Sequence, residues 1–332
     1  MIILNPNPCF DRTLLLSRME RGAVMRCDSA QVSAGGKGIN VARVARALGK
    51  SAPLLILVGD RDSEEYSELL AREGADFGVT TYAGRVRIAS IYLEKDSPSI
   101  TVVNEKGSTI TALDWQAYLD QIQKVIKPEQ VVACMGSFPT GVTEEMFISL
   151  VNLVHQNQGI FLIDTAPQFL AYALAAGVDI VSPNLDEAES TIFGSTADLF
   201  TGDNTDAQKR SKNAAVELCK MGAKIAMVTA GEAGVAIANR EKVDFIPSVK
   251  VKVVSAVGAG DSFVAGFILK SEEQGDFTKF NDIDWTLSAA FGCATAAASC
   301  ETNRAGDLDP ARVSAIFRSI QTNIASSDMA AR

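Results

Sequence analysis

The chain has 332 residues, 47% of them hydrophobic, and a formal net charge of −9, enough apolar material for one large or two ordinary globular domains. That charge opposes any extended nucleic-acid or anionic-membrane surface, because both need a cationic face, and no run of about 18 apolar residues is present to span a bilayer. Six scattered cysteines without C-x-x-C spacing fit reduced structural thiols, and the one histidine, His155, reads as a surface helix residue, which leaves Ser-His-Asp and histidine-metal chemistry without their main residue.

The opening MIILNPNPCFDRT lacks the basic region and long apolar stretch of a secretion signal, so a cytoplasmic enzyme is expected. Ile2 to Leu4 reads as a buried strand, and Arg12 to Leu16 as a β segment directly after Asp11. Asn40 to Leu48 sets Val41, Val44, Ala45 and Leu48 on one helical face; Leu54 to Val58 is again a buried strand. Arg85 to Thr111 alternates with period two around a turn signal at Asp96 to Ser99, which predicts an antiparallel hairpin outside the main sheet. A helix follows over Leu113 to Ile126, then strands at Val131 to Met135, Ile160 to Ile163, Asp179 to Val181 and Ile225 to Val228. Between the first and second of these, FISLVNLVHQNQG spells the helix of His155 with a glycine cap at Gly159.

Strands spaced by helices predict a mostly parallel α/β sheet, and Arg12 to Leu16 with the hairpin predicts a small β lid over a cleft. Residues 1–325 read as one domain with lid segments at about 11–17 and 85–111, followed by a frayed tail at 326–332.

Two glycine-rich segments carry the chemistry. In Val253-Val-Ser-Ala-Val-Gly-Ala-Gly-Asp-Ser-Phe-Val-Ala-Gly-Phe267 a strand-like run passes through small residues into a helix. Gly258 and Gly260 let a ligand approach the backbone, and the N–H groups of Ala259 to Ser262 would point at an anion, phosphate by preference. Asp261 sits where a carboxylate repels phosphate; on this loop alone it is equally a helix cap or a base that takes a proton from an attacking hydroxyl. Ser33-Ala-Gly-Gly-Lys-Gly-Ile-Asn40 also precedes a helix but matches neither G-x-G-x-x-G nor the P-loop. Its Lys37 reads as a solvated surface lysine or as a partner of a ligand phosphate.

Taken together, Gly-Gly-Lys-Gly-Ile-Asn near the start and Val-Gly-Ala-Gly-Asp-Ser-Phe near the end resemble the two signature regions of the ribokinase-like (PfkB) sugar kinases. Asn5-Pro-Asn-Pro with Asp11 resembles that family's sugar-binding strand end, Ser182-Pro-Asn-Leu-Asp-Glu187 its N-x-x-E magnesium region, and Thr229-Ala-Gly-Glu-Ala-Gly234 its nucleotide-binding strand end. The resemblance implies a three-layer α/β/α fold with a mostly parallel central sheet and a small β-sheet lid. It implies that Asp11, Gly36 and Asn40 hold sugar hydroxyls, Asp261 is the base, and the amides of Gly258, Ala259 and Gly260 form an anion hole. It further implies ATP at Asn184, Thr229, Gly231 and Gly234, and Mg2+ at Asn184 and Glu187 through water; a helix-start acid is the plain alternative for Glu187.

Lys37, Arg87 and Gly136-Ser137-Phe138-Pro139 resemble the branch of the family that acts on phosphorylated sugars. A lysine, a guanidinium and the Ser137 hydroxyl converging from three segments would neutralise a sugar phosphate. The resemblance to 1-phosphofructokinases and tagatose-6-phosphate kinases makes fructose 1-phosphate the first choice, with tagatose 6-phosphate and fructose 6-phosphate as alternatives and a non-catalytic sugar-phosphate-binding protein as the reading from another class. Ser182, where many relatives carry lysine, and Ser255-Ala256, where many have Asp-Thr, depart from the pattern. A nucleotide-cofactor oxidoreductase lacks its fingerprint after the first strand. Small molecules are the expected partners, with an exposed lid sheet available for pairing in a homodimer.

Overall fold

The computed structural model describes residues 1–95, 100–194, 204–275 and 277–330; the turn signal at Asp96 to Ser99 and the last two residues of the tail lie outside them. The continuous apolar runs become strands buried on both faces: β1 (Ile2–Asn5), β4 (Leu54–Gly59), β8 (Val131–Met135), β9 (Ile160–Asp164), β10 (Ile180–Val181) and β11 (Ile225–Thr229). With β5 (Phe77–Tyr82), β12 (Gly234–Ala238) and β13 (Val243–Pro247) they form a nine-stranded sheet in the order β13-β12-β11-β10-β9-β8-β1-β4-β5. Pairing is parallel from β5 to β11 and antiparallel at β11–β12 and β12–β13.

Alternation along these strands divides the core into two layers. Ile3, Ile56, Ala133 and Met135 face one side, where α1 (Lys37–Ala47), α2 (Ser63–Arg72), α8 (Ala259–Gln274), α9 (Trp285–Cys300) and α10 (Pro310–Ala330) supply Val44, Tyr66, Phe263, Ala290 and Ile316. Ile2, Leu4, Val132 and Cys134 face the other, against α3 (Ala112–Val125), α4 (Glu144–Gln156), α5 (Pro167–Ala175), α6 (Leu185–Phe193) and α7 (Asn204–Met221). Each sheet face must be covered because a parallel sheet presents apolar side chains on both sides; the result is the expected three-layer α/β/α sandwich. No helix among the described residues is long and apolar enough to cross a membrane.

The lid is a separate four-stranded sheet, β3-β2-β6-β7, built from β2 (Cys9–Leu16), β3 (Ser29–Gly35), β6 (Arg87–Glu94) and β7 (Ile100–Asn104). The predicted hairpin is the antiparallel pair β6–β7, and the early segment joins it as β2, parallel to β6. Strand β3, Ser-Ala-Gln-Val-Ser-Ala-Gly, was not predicted; it is an edge strand with an exposed first half and no apolar run to mark it.

Several boundaries differ from the sequence reading; strand β2 begins at Cys9 rather than Arg12 and so includes Asp11. Helix α1 begins at Lys37 rather than Asn40, which puts both residues in its first turns. Strand β10 begins at Ile180, leaving Asp179 buried and hydrogen-bonded by His155 Nε2 at 3.0 Å, the Phe161 amide at 2.8 Å and Lys224 Nζ at 2.7 Å. At the end of α4 the left-handed residue is Gln158 (φ 58°) instead of Gly159; the glycine is required there because a Cβ would meet Val154 Cγ1 at 2.8 Å.

Candidate active site

Strand β1 lies between β4 and β8, and the chain leaves it on one side through the lid and α1 and returns on the other through α3. Where connections diverge in this way a crevice opens beyond the carboxyl ends of the strands. Asn5 ends β1 there, Gly136 follows β8, and Asp164 ends β9.

The glycine cluster docks α1 onto this crevice. The Gly38 amide donates to Asn5 Oδ1 at 2.7 Å. Gly36 has φ 129°, and a Cβ on it would meet the same oxygen at 2.8 Å, so side chains are excluded at both positions. Helix α1 then points Lys37 at two carboxylates, with Nζ 2.5 Å from Asp164 Oδ1 and 3.8 Å from Glu187 Oε1. Burial alone would lower the Lys37 pKa; Asp164, Glu187 and Asp261 outweigh it and hold the ammonium charged well above its ordinary range. Neither of the two readings of Lys37, surface cation or phosphate partner, included this pairing, and Asp164 was not predicted. The signal for it is its place at the carboxyl end of a buried parallel strand.

At the start of α8, Gly258 is left-handed (φ 79°) and packs so closely on Ala305 that a Cβ would lie 2.8 Å from its side chain. The Ala259 amide donates to Ala256 O at 3.2 Å and the Ser262 amide to Gly258 O at 2.9 Å. These bonds correct the expectation of a continuous row of free amides: Ala259 and Ser262 are engaged, and Gly258, Gly260 and Asp261 are the amides left to face an anion. The Asp261 carboxylate is 6% exposed and accepts a hydrogen bond from Asn40 Nδ2 at 2.8 Å. Burial, and then the neighbouring Asp164, push Asp261 up to about 7, against the opposing pull of Lys37 and Asn40; Glu187 adds to the rise. A capping side chain would bond the first-turn amides, and none does so here. The geometry therefore sets the cap reading of Asp261 aside.

On the lid side, Arg87 Nε donates to Asn7 O at 3.1 Å, and Asn7 Nδ2 donates to Ser137 Oγ at 3.0 Å and Phe138 O at 3.2 Å. Asn7, which carried no predicted role, thus joins Arg87 to Ser137, while the stem of Lys37 passes beside Gly136, where a Cβ would touch its Cβ at 3.7 Å. Asp11 accepts a bond from the Cys9 thiol at 3.3 Å; burial raises its pKa, with the Cys9 bond and the Arg43 and Arg87 charges opposing.

The N-x-x-E region forms a reciprocal capping box at α6: the Glu187 amide donates to Asn184 Oδ1 at 2.9 Å and the Asn184 amide to Glu187 Oε2 at 3.0 Å. Glu187 is a cap whose second oxygen also faces Lys37; burial raises its pKa, Lys37 opposes and Asp164 adds. Asn184 bridges to Thr229 at the end of β11, whose amide donates to Pro183 O at 3.1 Å. Beyond it Gly231 (φ 53°) faces open space, whereas Gly234 is buried in β12, where a Cβ would meet the Ile246 carbonyl oxygen at 2.2 Å. Among the described residues no group of three or more His, Cys, Asp or Glu is arranged to hold a metal. Asp164 and Glu187, with the Asn184 carbonyl nearby, are hard oxygen donors that fit a cation carried mainly by water and phosphate.

The sequence profile of pfkB family carbohydrate kinases matches residues 5–312. Similar curated proteins include the 1-phosphofructokinase of Haemophilus influenzae, 26% identical over 322 residues and 97% of each chain, and that of Escherichia coli K12, 28% identical over 262 residues, 79% of this chain and 81% of the other. Another is the ATP-dependent 6-phosphofructokinase isozyme 2 of Mycobacterium tuberculosis, 26% identical over 266 residues, 80% and 76% of the two chains. Among solved structures, phosphofructokinase-2 from Escherichia coli in complex with potassium superimposes with a TM-score of 0.85 at 22% identity, covering 96% of this chain and 99% of the other. With both signature loops and the lid assembled around one crevice, the chain belongs to the pfkB family of carbohydrate kinases.

Proposed function

We propose that the protein transfers the γ-phosphoryl group of ATP to a hydroxyl of a hexose phosphate, with fructose 1-phosphate converted to fructose 1,6-bisphosphate. The observation that carries this reading is the buried Asp261 at the α8 N-terminus, oriented by Asn40 and raised to about 7, near the pH at which a base works best. The 1-phosphofructokinase of Haemophilus influenzae is similar over 97% of the chain, and Arg87 and Lys37 supply cations, Ser137 a hydroxyl and Asn7 an amide of the kind a sugar phosphate needs.

In this reaction Asp11 and Asn40 hold the sugar, and Asp261 accepts the hydroxyl proton as that oxygen bonds to the γ-phosphorus. The bond to the β,γ-bridging oxygen breaks and ADP leaves. The amides of Gly258, Gly260 and Asp261, at the positive end of α8, stabilise charge on the transferring group. Magnesium held through water by Asn184, Asp164 and Glu187 would neutralise the donor phosphates. Thr229 and Gly231 line the nucleotide side, where Val253, Val254 and Val257 are exposed beside the loop and offer an apolar cover for the base. The exposed β7, with Ile100, Val102 and Val103, supports pairing of two lids in a homodimer; a monomer by sedimentation at micromolar concentration would refute it.

The test is ADP release from Mg-ATP with fructose 1-phosphate, tagatose 6-phosphate, fructose 6-phosphate and fructose side by side. A preference for fructose 1-phosphate is expected; activity on fructose alone overturns the roles of Lys37 and Arg87, and no turnover with any of them favours a non-catalytic binder. Asp261→Asn is expected to cut turnover at least about a hundredfold while leaving ATP binding intact.

A further inference from the structure

Arg43 is a cation with only 6% of its surface exposed, placed on α1 one turn after Asn40. Each of its three side-chain nitrogens donates. Nη1 donates to Asn40 Oδ1 at 2.9 Å, Nη2 to Ala34 O at 2.7 Å and Glu73 Oε1 at 2.9 Å, and Nε to Glu73 Oε2 at 2.8 Å. Glu73 in turn caps the C-terminus of α2, where the helix dipole disfavours a carboxylate, and it also receives Arg304. Burial would raise the Glu73 pKa, yet the Arg43 bond and charge, with Arg304 and Arg46, hold it below the ordinary range. A carboxylate kept ionised at an unfavourable helix end, gripping the guanidinium with both oxygens, fixes the guanidinium plane and therefore the direction of Nη1.

The consequence is chemical as well as mechanical. An arginine has donors only, so it can meet only the oxygen of the Asn40 amide; an ionised aspartate has acceptors only, so it can meet only the nitrogen. The amide between them has one orientation that satisfies both, and Asn40 Nδ2 faces Asp261 Oδ2 at 2.8 Å in that orientation. The other groups whose charge acts on Asp261 are Lys37, Asp164 and Glu187; none of these is bound by Arg43.

We propose that Arg43, clamped by Glu73, is a positioning residue that keeps the Asn40 amide nitrogen turned toward Asp261. Its catalytic consequence rests on Asp261 being the base of the proposed reaction; the orientation itself does not.

The orientation is read in the free protein from the Asn40 side-chain NH2 resonances, assigned by their disappearance in Asn40→Ala, in wild type, Arg43→Met and Arg43→Lys. Both Arg43 variants are expected to shift these resonances and speed their solvent exchange at least tenfold. Arg43→Lys keeps a cation beside Glu73 but sets all its donors on one nitrogen, which lacks the planar fork that spans Glu73, Ala34 and Asn40; it therefore decides the question if Arg43→Met does not fold. Unchanged Asn40 resonances in a folded Arg43 variant overturn the proposal. For the catalytic consequence, Arg43→Met is expected to lower kcat about tenfold with KM for ATP unchanged, and to add less than about twofold in an Asn40→Ala background, since an effect exerted through Asn40 cannot persist without it. A full tenfold loss on top of Asn40→Ala would show Arg43 acting by general structural support. Near-normal turnover of Asp261→Asn would remove the base reading and leave the resonance result standing.

Discussion

Replacing Asp261 by asparagine is expected to stabilise the fold above neutrality, and the structure sets the amount. Burial is the first cause and Asp164 the second of a rise from the ordinary 3.8 to about 7. A carboxyl whose folded pKa is raised contributes stability that is complete below its unfolded value and lost as pH climbs to the folded one. The gap is roughly 3 pH units at about 1.4 kcal/mol each, so holding the ionised carboxylate in the crevice costs about 4 kcal/mol at pH 8. Asparagine keeps the shape and accepts the Asn40 bond without the charge. Between pH 5.5 and pH 8.5 the variant should gain about 2 kcal/mol on wild type, the part of the rise still untitrated at pH 5.5. At about 2.1 cal/mol/K per residue that is about 3 °C in Tm. Thermal denaturation of both proteins without ligands at pH 5.5, 7 and 8.5 gives the difference directly, because all other titrating groups are common to the pair. A Tm difference that stays flat across this range, or a wild type that is the more stable at pH 8.5, would refute the buried, raised carboxyl and with it the base.

The same group should appear in the kinetics as a rising limb of kcat/KM centred near pH 7, with a plateau above, since the base must be ionised; a profile flat from pH 5.5 to 8.5 would contradict it. Lys37→Met strips the cation from among Asp164, Glu187 and Asp261, so that limb should move to higher pH while KM for the sugar phosphate rises at least about tenfold; an unmoved limb would separate Lys37 from the base. Far from the crevice, Asp179→Ala leaves the buried Phe161 amide without its acceptor and should cost about 2 to 3 kcal/mol at pH 7, read by urea denaturation. Burial would raise the Asp179 pKa, but the bonds from His155, Lys224 and Phe161 hold it below the ordinary range. Its stabilisation is thus present above the unfolded pKa and lost as pH falls through the folded one, and wild type and variant should converge in acid.

What the sequence made legible follows from where the physics is local. Leu54 to Val58 or Val131 to Met135 read as strands because both faces are buried, and the hairpin read as a lid because period two survives where one face is open. Strand β3 was silent because an edge with few apolar side chains carries no pattern, and β12 and β13 add an antiparallel margin that alternating helices and strands do not announce. The glycine loops were visible through residue type alone, but their use was not. Whether the Ala259 amide is free depends on a turn back to Ala256, and whether Lys37 meets solvent, phosphate or carboxylate depends on Asp164, 127 positions away.

Sheet order supplies the rest. Asn5, Gly136, Asp164, Asn184 and Thr229 are far apart in the chain, yet they follow β1, β8, β9, β10 and β11, which are neighbours in that order. Four spacings of about 4.8 Å make a row of about 19 Å, with the lid and Asp11 at one end and the open turn at Gly231 at the other. The reaction proposed above lays a sugar phosphate and a nucleotide end to end along this row, with Asp164 near its middle. There Lys37 crosses from α1 and Asp261 stands at the head of α8, so in the proposed reaction the base and the neighbouring cation lie where the two substrates meet.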